Sequence, residues 1–85
     1  MAVTTSVNLT GAWQALATTG EVVFTASGPV LWAVTGSTSA PAFSNGAHVA
    51  QAFEDKSLTL AGAERLWVKS SGASGTVYVT ADAPV

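Results

Sequence analysis

Arg65-Leu66-Trp67-Val68-Lys69 is followed, after a short linker, by Gly75-Thr76-Val77-Tyr78-Val79-Thr80-Ala81. Both runs are rich in the β-branched and aromatic residues that favour β-strands. The linker, Ser70-Ser71-Gly72-Ala73-Ser74, is small, polar and contains glycine. Two such runs on either side of such a linker predict a β-hairpin with a medium-length loop.

Side-chain alternation gives this predicted hairpin two different faces. One face carries Leu66, Val77 and Val79, and we expect it to be core. The other face carries Trp67 and Tyr78. A small monomer has little surface left with which to cover such large side chains. We therefore expect another molecule to cover the second face.

The length of 85 residues predicts a single domain with one hydrophobic core. Domains of this size are commonly reinforced by disulfides, a metal or oligomerisation. The chain has no cysteine, which excludes disulfides and thiolate metal sites, and His48 is its only histidine. We therefore expect no metal or other cofactor.

Charge is sparse and unevenly placed. Charged residues make up 9% of the chain, against roughly 25% in ordinary soluble domains. A free monomer normally carries scattered surface charge that keeps it apart from its neighbours. The pattern therefore predicts a protein with much of its surface against other protein. Glu64, Arg65 and Lys69 could form ion pairs across a subunit boundary and set its register.

The same charge balance and the hydropathy exclude two classes of partner. With a net charge of −2 and three Lys and Arg residues, the chain cannot build a groove that tracks phosphates, so we expect no nucleic acid partner. No apolar run approaches the roughly 20 residues that span a bilayer, and the N-terminus lacks the features of a secretory signal. We expect a soluble protein made in the cytoplasm.

Further short strands are predicted along the rest of the chain. Turns at Thr19-Gly20 and Gly28-Pro29 predict that the strands around them form a meander. The pattern predicts an all-β fold over residues 1–85, a small β-sandwich or barrel of six to eight short antiparallel strands, with an N-terminal arm at 1–5 and a C-terminal tail at 82–85. Besides the hairpin, the predicted strands are Thr4–Thr10, Trp13–Ala17, Glu21–Ala26, Val30–Thr35 and Leu58–Leu60.

Three segments are less regular. Trp13–Ala17 has helical propensity, but it is too short to nucleate a helix and glycines close it at both ends, which favours a strand. Ala47–Phe53 fits either a strand or one helical turn. Gly36–Gly46 is the longest loop, with Phe43 as its apolar anchor. A loop of this length in a small domain is functional or packs on a neighbour.

The sequence contains no arrangement typical of catalysis. His48 would need a nucleophile and an orienting carboxylate, and no motif supplies them. We interpret it as a loop histidine bonded to backbone or to a neighbouring subunit. Glu54 and Asp55 are adjacent and would face opposite sides of a strand, so we interpret them as a solvated turn. We expect no enzymatic activity.

The aromatic residues allow two interpretations. Trp13, Trp32, Trp67 and Tyr78 could form a platform on which sugars stack, but such a platform needs polar, hydrogen-bonding neighbours. The neighbours in sequence are mostly Ala, Val and Leu. Packing in the core or at a subunit interface is therefore favoured.

The order of these features along the chain resembles that of small β-rich accessory virion proteins of tailed bacteriophages. Such proteins are capsid decoration or cement proteins, head fibres, and small tail or collar subunits, commonly trimeric. The resemblance covers nearly the whole chain as a pattern and carries over no site residues. The matching features, in order, are Leu9–Ala17, Val22–Phe24, Leu31–Val34, Ala40–Ala42, His48, Leu58–Leu60, Arg65–Lys69 and Gly75–Thr80.

From the resemblance we expect a virion structural protein, a capsid-decorating or head-fibre subunit that acts through oligomeric protein–protein contacts. Its expected partners are copies of itself, as a homotrimer, and a larger phage protein such as the major capsid protein. Trp67, Tyr78 and Phe43 are the expected interface anchors, with Val3 and Val7 docking the N-terminal segment onto the larger particle. The alternative is a carbohydrate- or receptor-binding module of a tail fibre.

Overall fold

The structure, a computed structural model, describes residues 3–36, 40–41, 48–71 and 75–83. Within these ranges the chain forms β-strands and no helix, and the all-β prediction is confirmed. The strands are β1 Val3–Leu9, β2 Gln14–Ala17, β3 Gly20–Ala26, β4 Val30–Thr35, β5 His48–Ala50, β6 Lys56–Leu60, β7 Arg65–Ser70 and β8 Gly75–Ala81.

The strands form two antiparallel four-stranded sheets that pack as a β-sandwich. The first sheet has the order β1-β8-β3-β6 and the second has the order β2-β7-β4-β5. The pairing is nested: β1 lies on β8, β2 on β7, β3 on β6 and β4 on β5. Strands β1–β4 thus pair with β5–β8 as one long two-stranded ribbon, which is rolled so that β3 also pairs with β8 and β4 also pairs with β7. This is the topology of a jelly roll.

The core lies between the two sheets and is built from alternate residues of each strand. The first sheet contributes Phe24 and Val79, and the second contributes Leu66 and Val68, all of which are almost fully buried. The full set of buried core residues is Leu9, Leu16, Ala17, Val22, Phe24, Ala26, Val30, Ala50, Leu60, Leu66, Val68, Val77, Val79 and Ala81. The strict alternation therefore leaves each sheet with an outer face that faces away from this core.

The predicted hairpin between 65–69 and 75–81 is wrong. β7 lies in the second sheet and β8 in the first, so the two strands do not pair with each other. The predicted meander around Thr19-Gly20 and Gly28-Pro29 is wrong for the same reason, since β2 and β4 lie in the second sheet and β3 in the first. Sheets in a sandwich are only about 10 Å apart, so short turns serve a crossing as readily as a hairpin.

Local boundaries differ from the expectations in three places. Residues 3–5, expected in an N-terminal arm, belong to β1, and Val3 is in register with Ala81. The expected C-terminal tail is tied at its start, because Thr18 N–H donates to the Ala83 carbonyl at 2.9 Å. Of the two structures open for 47–53, residues 48–50 form β5 and a tight turn follows at Gln51–Glu54.

Candidate interaction surfaces

The outer face of the first sheet is dominated by hydroxyl groups, and we call it the hydroxyl face. Thr4 and Thr80 are in register on β1 and β8, and their hydroxyl oxygens are 2.6 Å apart in a hydrogen bond. Tyr78, in register with Ser6 and Thr25, is 49% exposed near the centre of this face. The face consists of Thr4, Ser6, Asn8, Glu21, Val23, Thr25, Ser57, Thr59, Thr76, Tyr78 and Thr80.

A shallow depression lies on this face between β3 and β6. Its volume is about 280 Å³, and Glu21, Val23, Ser57 and Thr59 supply its outward-facing lining. The depression therefore offers a carboxylate and two hydroxyls beside the exposed valine. A pocket of this size is at the lower limit for small-molecule sites.

The outer face of the second sheet carries Trp67, and we call it the tryptophan face. Trp67 is only 8% exposed, yet it is absent from the core cluster between the sheets. Its ring nitrogen donates to Thr35 Oγ1 at 2.8 Å, and the residues in register on either side are Ala15 and Ala33. The small neighbours leave room for the indole beside the sheet. The face consists of Ala15, Leu31, Ala33, Thr35, Val49, Arg65, Trp67 and Lys69.

The residues expected at the interface are therefore not brought together. Trp67 and Tyr78 lie on opposite outer faces, and Trp67 is covered within the single chain, which corrects the expectation that both need an external cover. Val3, at 47% exposure, and the half-buried Val7 lie on β1. Phe43 lies outside the described residues.

The four edge strands differ in how they meet solvent. β5 has three residues, β2 has four and a bulge, and β6 carries Lys56. Shortness, bulges and lysine are devices that stop an edge from pairing with another chain. β1 has seven residues, no charge and no proline, and pairs on one side with β8. Within the described residues β1 is thus a long edge that is covered only near its end, where Gln14 Nε2 donates to the Asn8 carbonyl at 2.9 Å.

The core-facing side chains of β1 are only partly covered. Val3 and Thr5 face the same way as the core residues of β8, but both are exposed. Cover begins at Val7 and is complete at Leu9, which is buried. The first half of β1 therefore presents an open strand edge and two uncovered inner side chains side by side.

Phe53 is a large exposed hydrophobic residue that is not among the interface residues predicted from the sequence. It is 73% exposed and adopts a positive φ of 57°, in a turn closed by the Glu54 N–H donating to the Gln51 carbonyl at 3.2 Å. A bulky residue at positive φ is strained, and glycine is the residue preferred at this position of such a turn. No sequence pattern signals that strain, because the left-handed residue is recognisable only once the turn is seen.

The turn around Phe53 also holds the one ion pair found among the described residues. Glu54 Oε1 accepts the Gln51 N–H at 3.0 Å, and Glu54 Oε2 lies 3.6 Å from Lys56 Nζ. The bond from the Gln51 N–H, with the charge of Lys56, lowers the pKa of the Glu54 carboxyl below its ordinary value of 4.5. Glu54 thus fastens its own turn through its side chain.

His48 lies on β5, and its ring packs against Trp32 with the ring centroids 4.6 Å apart. Trp32 in turn meets Phe24 edge-on across the core, at 6.1 Å. The histidine therefore lies on a strand, where the sequence placed a loop residue. Among the described residues no group of three or more His, Asp and Glu side chains is placed to hold a metal ion.

Comparisons with family models, with curated proteins and with solved structures found no match to this chain. In the part of the chain that the structure describes, no helix of membrane-spanning length and hydrophobicity is present.

Proposed function

We propose that this chain is an accessory structural protein of a tailed-bacteriophage virion. In this proposal it is a capsid-decorating or head-fibre subunit that assembles with copies of itself, with a homotrimer as the expected state. It docks on a larger virion protein such as the major capsid protein. The phage assignment is supported by the order of sequence features described above, and its location would be the virion.

The observation that supports docking on a larger virion protein is the open edge along the first half of β1. A long uncharged edge strand presents a row of backbone N–H and C=O groups to which an extended segment can add as a further strand. The uncovered Val3 and Thr5 would give such a segment two side-chain contacts as well. An edge of this kind is an aggregation hazard unless it is occupied in the working assembly.

The fold supports the proposal by analogy. Jelly rolls are common in viral capsid proteins and also in lectins, so the topology is compatible with a virion subunit and does not by itself select one. The low charge supports it independently, because three Lys and Arg residues and five Asp and Glu residues leave most of the surface free of the repulsion that keeps monomers apart.

The proposal is tested on purified virions of the phage that encodes the chain. Antibodies against the protein, used in immunogold electron microscopy, should label the particles at a fixed position. Thr5→Lys places an inward-pointing charge on the β1 edge and should abolish rebinding to particles that lack the protein. Ala63→Lys, which adds the same charge in an exposed turn, should rebind like wild type. Unlabelled virions would overturn the virion assignment, and normal rebinding of Thr5→Lys would overturn the β1 docking edge.

A second candidate function is carbohydrate binding on the hydroxyl face. The observation that favours it is the half-exposed Tyr78, which has the hydroxyls of Ser6 and Thr25 on the neighbouring strands. A ring that can stack on a sugar here has the polar neighbours that the sequence alone did not reveal. Glycan-array binding that is lost in Tyr78→Ala and kept in Phe53→Ala would support this candidate, and an empty array would exclude it.

A further inference from the structure

The ionic side chains divide between the two outer faces by sign. Glu54 and Lys56 pair with each other, and Glu64 closes its own turn by accepting the Ala61 N–H at 2.6 Å. The remaining acids are associated with the hydroxyl face: Glu21, Asp55 and Asp82. The remaining cations, Arg65 and Lys69, lie on the tryptophan face. The hydroxyl face is therefore acidic, and the tryptophan face carries two cations, one of which, Arg65, directly follows the Glu64 carboxylate in the chain.

The acids are held in place at the two ends of β3. At one end, the Glu21 N–H donates to Asp82 Oδ2 at 3.3 Å, so the Asp82 carboxylate lies beside the Glu21 backbone. At the other end, the Thr25 hydroxyl donates to Asp55. Glu21 and Thr25 are four residues apart along an interior strand of the sheet, a distance of about 13 Å at 3.3 Å per residue.

The cations have the same spacing on the other face. Arg65 and Lys69 are four residues apart on β7, an interior strand of the second sheet, which again is about 13 Å. Apolar side chains lie between the charges in both cases: Val23, 42% exposed, on β3 and Trp67 on β7. β3 thus presents Glu21, Val23 and the Asp55-bound Thr25 in a row. β7 presents Arg65, Trp67 and Lys69, whose Nζ lies 5.2 Å from the centroid of the Trp13 ring.

The size of the faces fits a stable contact. The molecule measures 31 × 26 × 16 Å, and its shortest dimension is that expected of two sheets about 10 Å apart with their pleats. Each broad face is therefore at most about 31 by 26 Å, or about 800 Å². A standard protein–protein interface buries about 800 Å² on each partner.

We propose that copies of this chain pack face to face, with the hydroxyl face of one copy against the tryptophan face of the next. The acidic ends of the β3 row lie opposite Arg65 and Lys69, and Val23 meets the apolar centre of the tryptophan face. This proposal rests on the self-assembly stated above and names the surfaces that perform it, but it replaces the homotrimer, because faces on opposite sides of a sandwich cannot close a ring of three subunits. The contact is heterologous, so it closes into a ring if the tilt between neighbours permits and otherwise continues as a filament.

The test is a pair of charge-reversed variants. Glu21→Lys/Asp55→Lys makes both faces positive, and Arg65→Glu/Lys69→Glu makes both faces negative. Each variant alone should associate at least about tenfold more weakly than wild type, because every contact then joins like charges. Mixed together they should co-assemble in an alternating 1:1 arrangement, in which any closed ring has an even number of subunits. Size-exclusion chromatography with light scattering and native mass spectrometry measure both results.

Two further measurements separate the outcomes. Circular dichroism and thermal melting check that each reversed variant is folded, and a folded, monomeric variant that fails to recover in the mixture would overturn the pairing of faces. If wild type assembles and both reversed variants assemble equally well, the face assignment falls while the self-assembly in the proposed function stands. A wild type that stays monomeric at about 50 mM salt, where surface charges are less screened than at physiological ionic strength, would overturn both the face assignment and the self-assembly.

Discussion

The Trp67 indole N–H donates to Thr35 Oγ1 at 2.8 Å and links β7 to β4 on the outer side of the second sheet. Trp67 is therefore anchored by its own chain, in register with Ala33 on β4, which is itself 6% exposed although it faces away from the core. An alanine on an outer face is covered only when a larger neighbour lies beside it. Trp67 stabilises the monomer and forms the floor of the tryptophan face.

Trp67→Phe and Thr35→Val should each destabilise the fold, and a double-mutant cycle should give a coupling of about 0.5–1.5 kcal/mol, the net contribution of such a hydrogen bond. Urea denaturation of the four proteins measures it. Trp32 supplies the matched control, because its buried Nε1 has no hydrogen-bond partner among the residues that the structure describes. The Trp32→Phe/Thr35→Val cycle should therefore show coupling near zero. Equal coupling in the two cycles would contradict the assigned bond.

Strand positions followed from the sequence because they depend on local residue types. The runs at 30–35 and 75–81 are strands over those same residues. The pairing of the strands could not be predicted in the same way. Side-chain alternation shows which residues share a face, but it does not show which strand lies next to which. A turn such as Gly28-Pro29 serves a hairpin and a sheet crossing equally. The nested pairing of a rolled ribbon is a long-range property.

The same limit explains the interface residues. Tyr78 and Trp67 have similar sequence surroundings, yet one is half exposed and the other is covered. The difference comes from Thr35 and the two alanines in register with Trp67, which belong to other strands. The exposure of Phe53 was not predicted because it depends on the turn at Gln51–Glu54. The residue types of that segment do not indicate such a turn.

Phe53→Gly should raise the free energy of unfolding by about 1 kcal/mol relative to Phe53→Ala. Alanine keeps the strain of a positive φ and glycine removes it. Because Phe53 is 73% exposed and has φ 57°, truncation of the ring itself should cost little. Chemical denaturation of the two variants measures this difference in the free energy of unfolding. Equal stabilities would show that the turn relaxes to a negative φ.

The stabilisation that the ionised Glu54 side chain gives to the fold should be lost in acid. Its pKa is lowered by the bond from the Gln51 N–H and by Lys56, so the ionised form favours the native state. That stabilisation is present above the unfolded-state pKa and is lost as the pH falls through the lower folded-state value. Wild type should therefore exceed Glu54→Gln in melting temperature near neutral pH, and the difference should shrink in acid. A difference that is the same at all pH values would contradict the mechanism.

Gly20 at the start of β3 is the position where an added methyl group should do most damage. Its φ is +107°, and a Cβ atom there would lie 3.1 Å from both Cβ and Oδ2 of Asp82. Gly20→Ala should cost about 1–3 kcal/mol, because backbone strain and crowding act together. Gly62→Ala, with φ +51° and open space around it, should cost about 1 kcal/mol. Gly11→Ala, with neither constraint, should be neutral or slightly stabilising. Thermal and urea denaturation rank the three variants. Any order that places Gly11→Ala below Gly20→Ala in stability would show that the start of β3 is not held against Asp82.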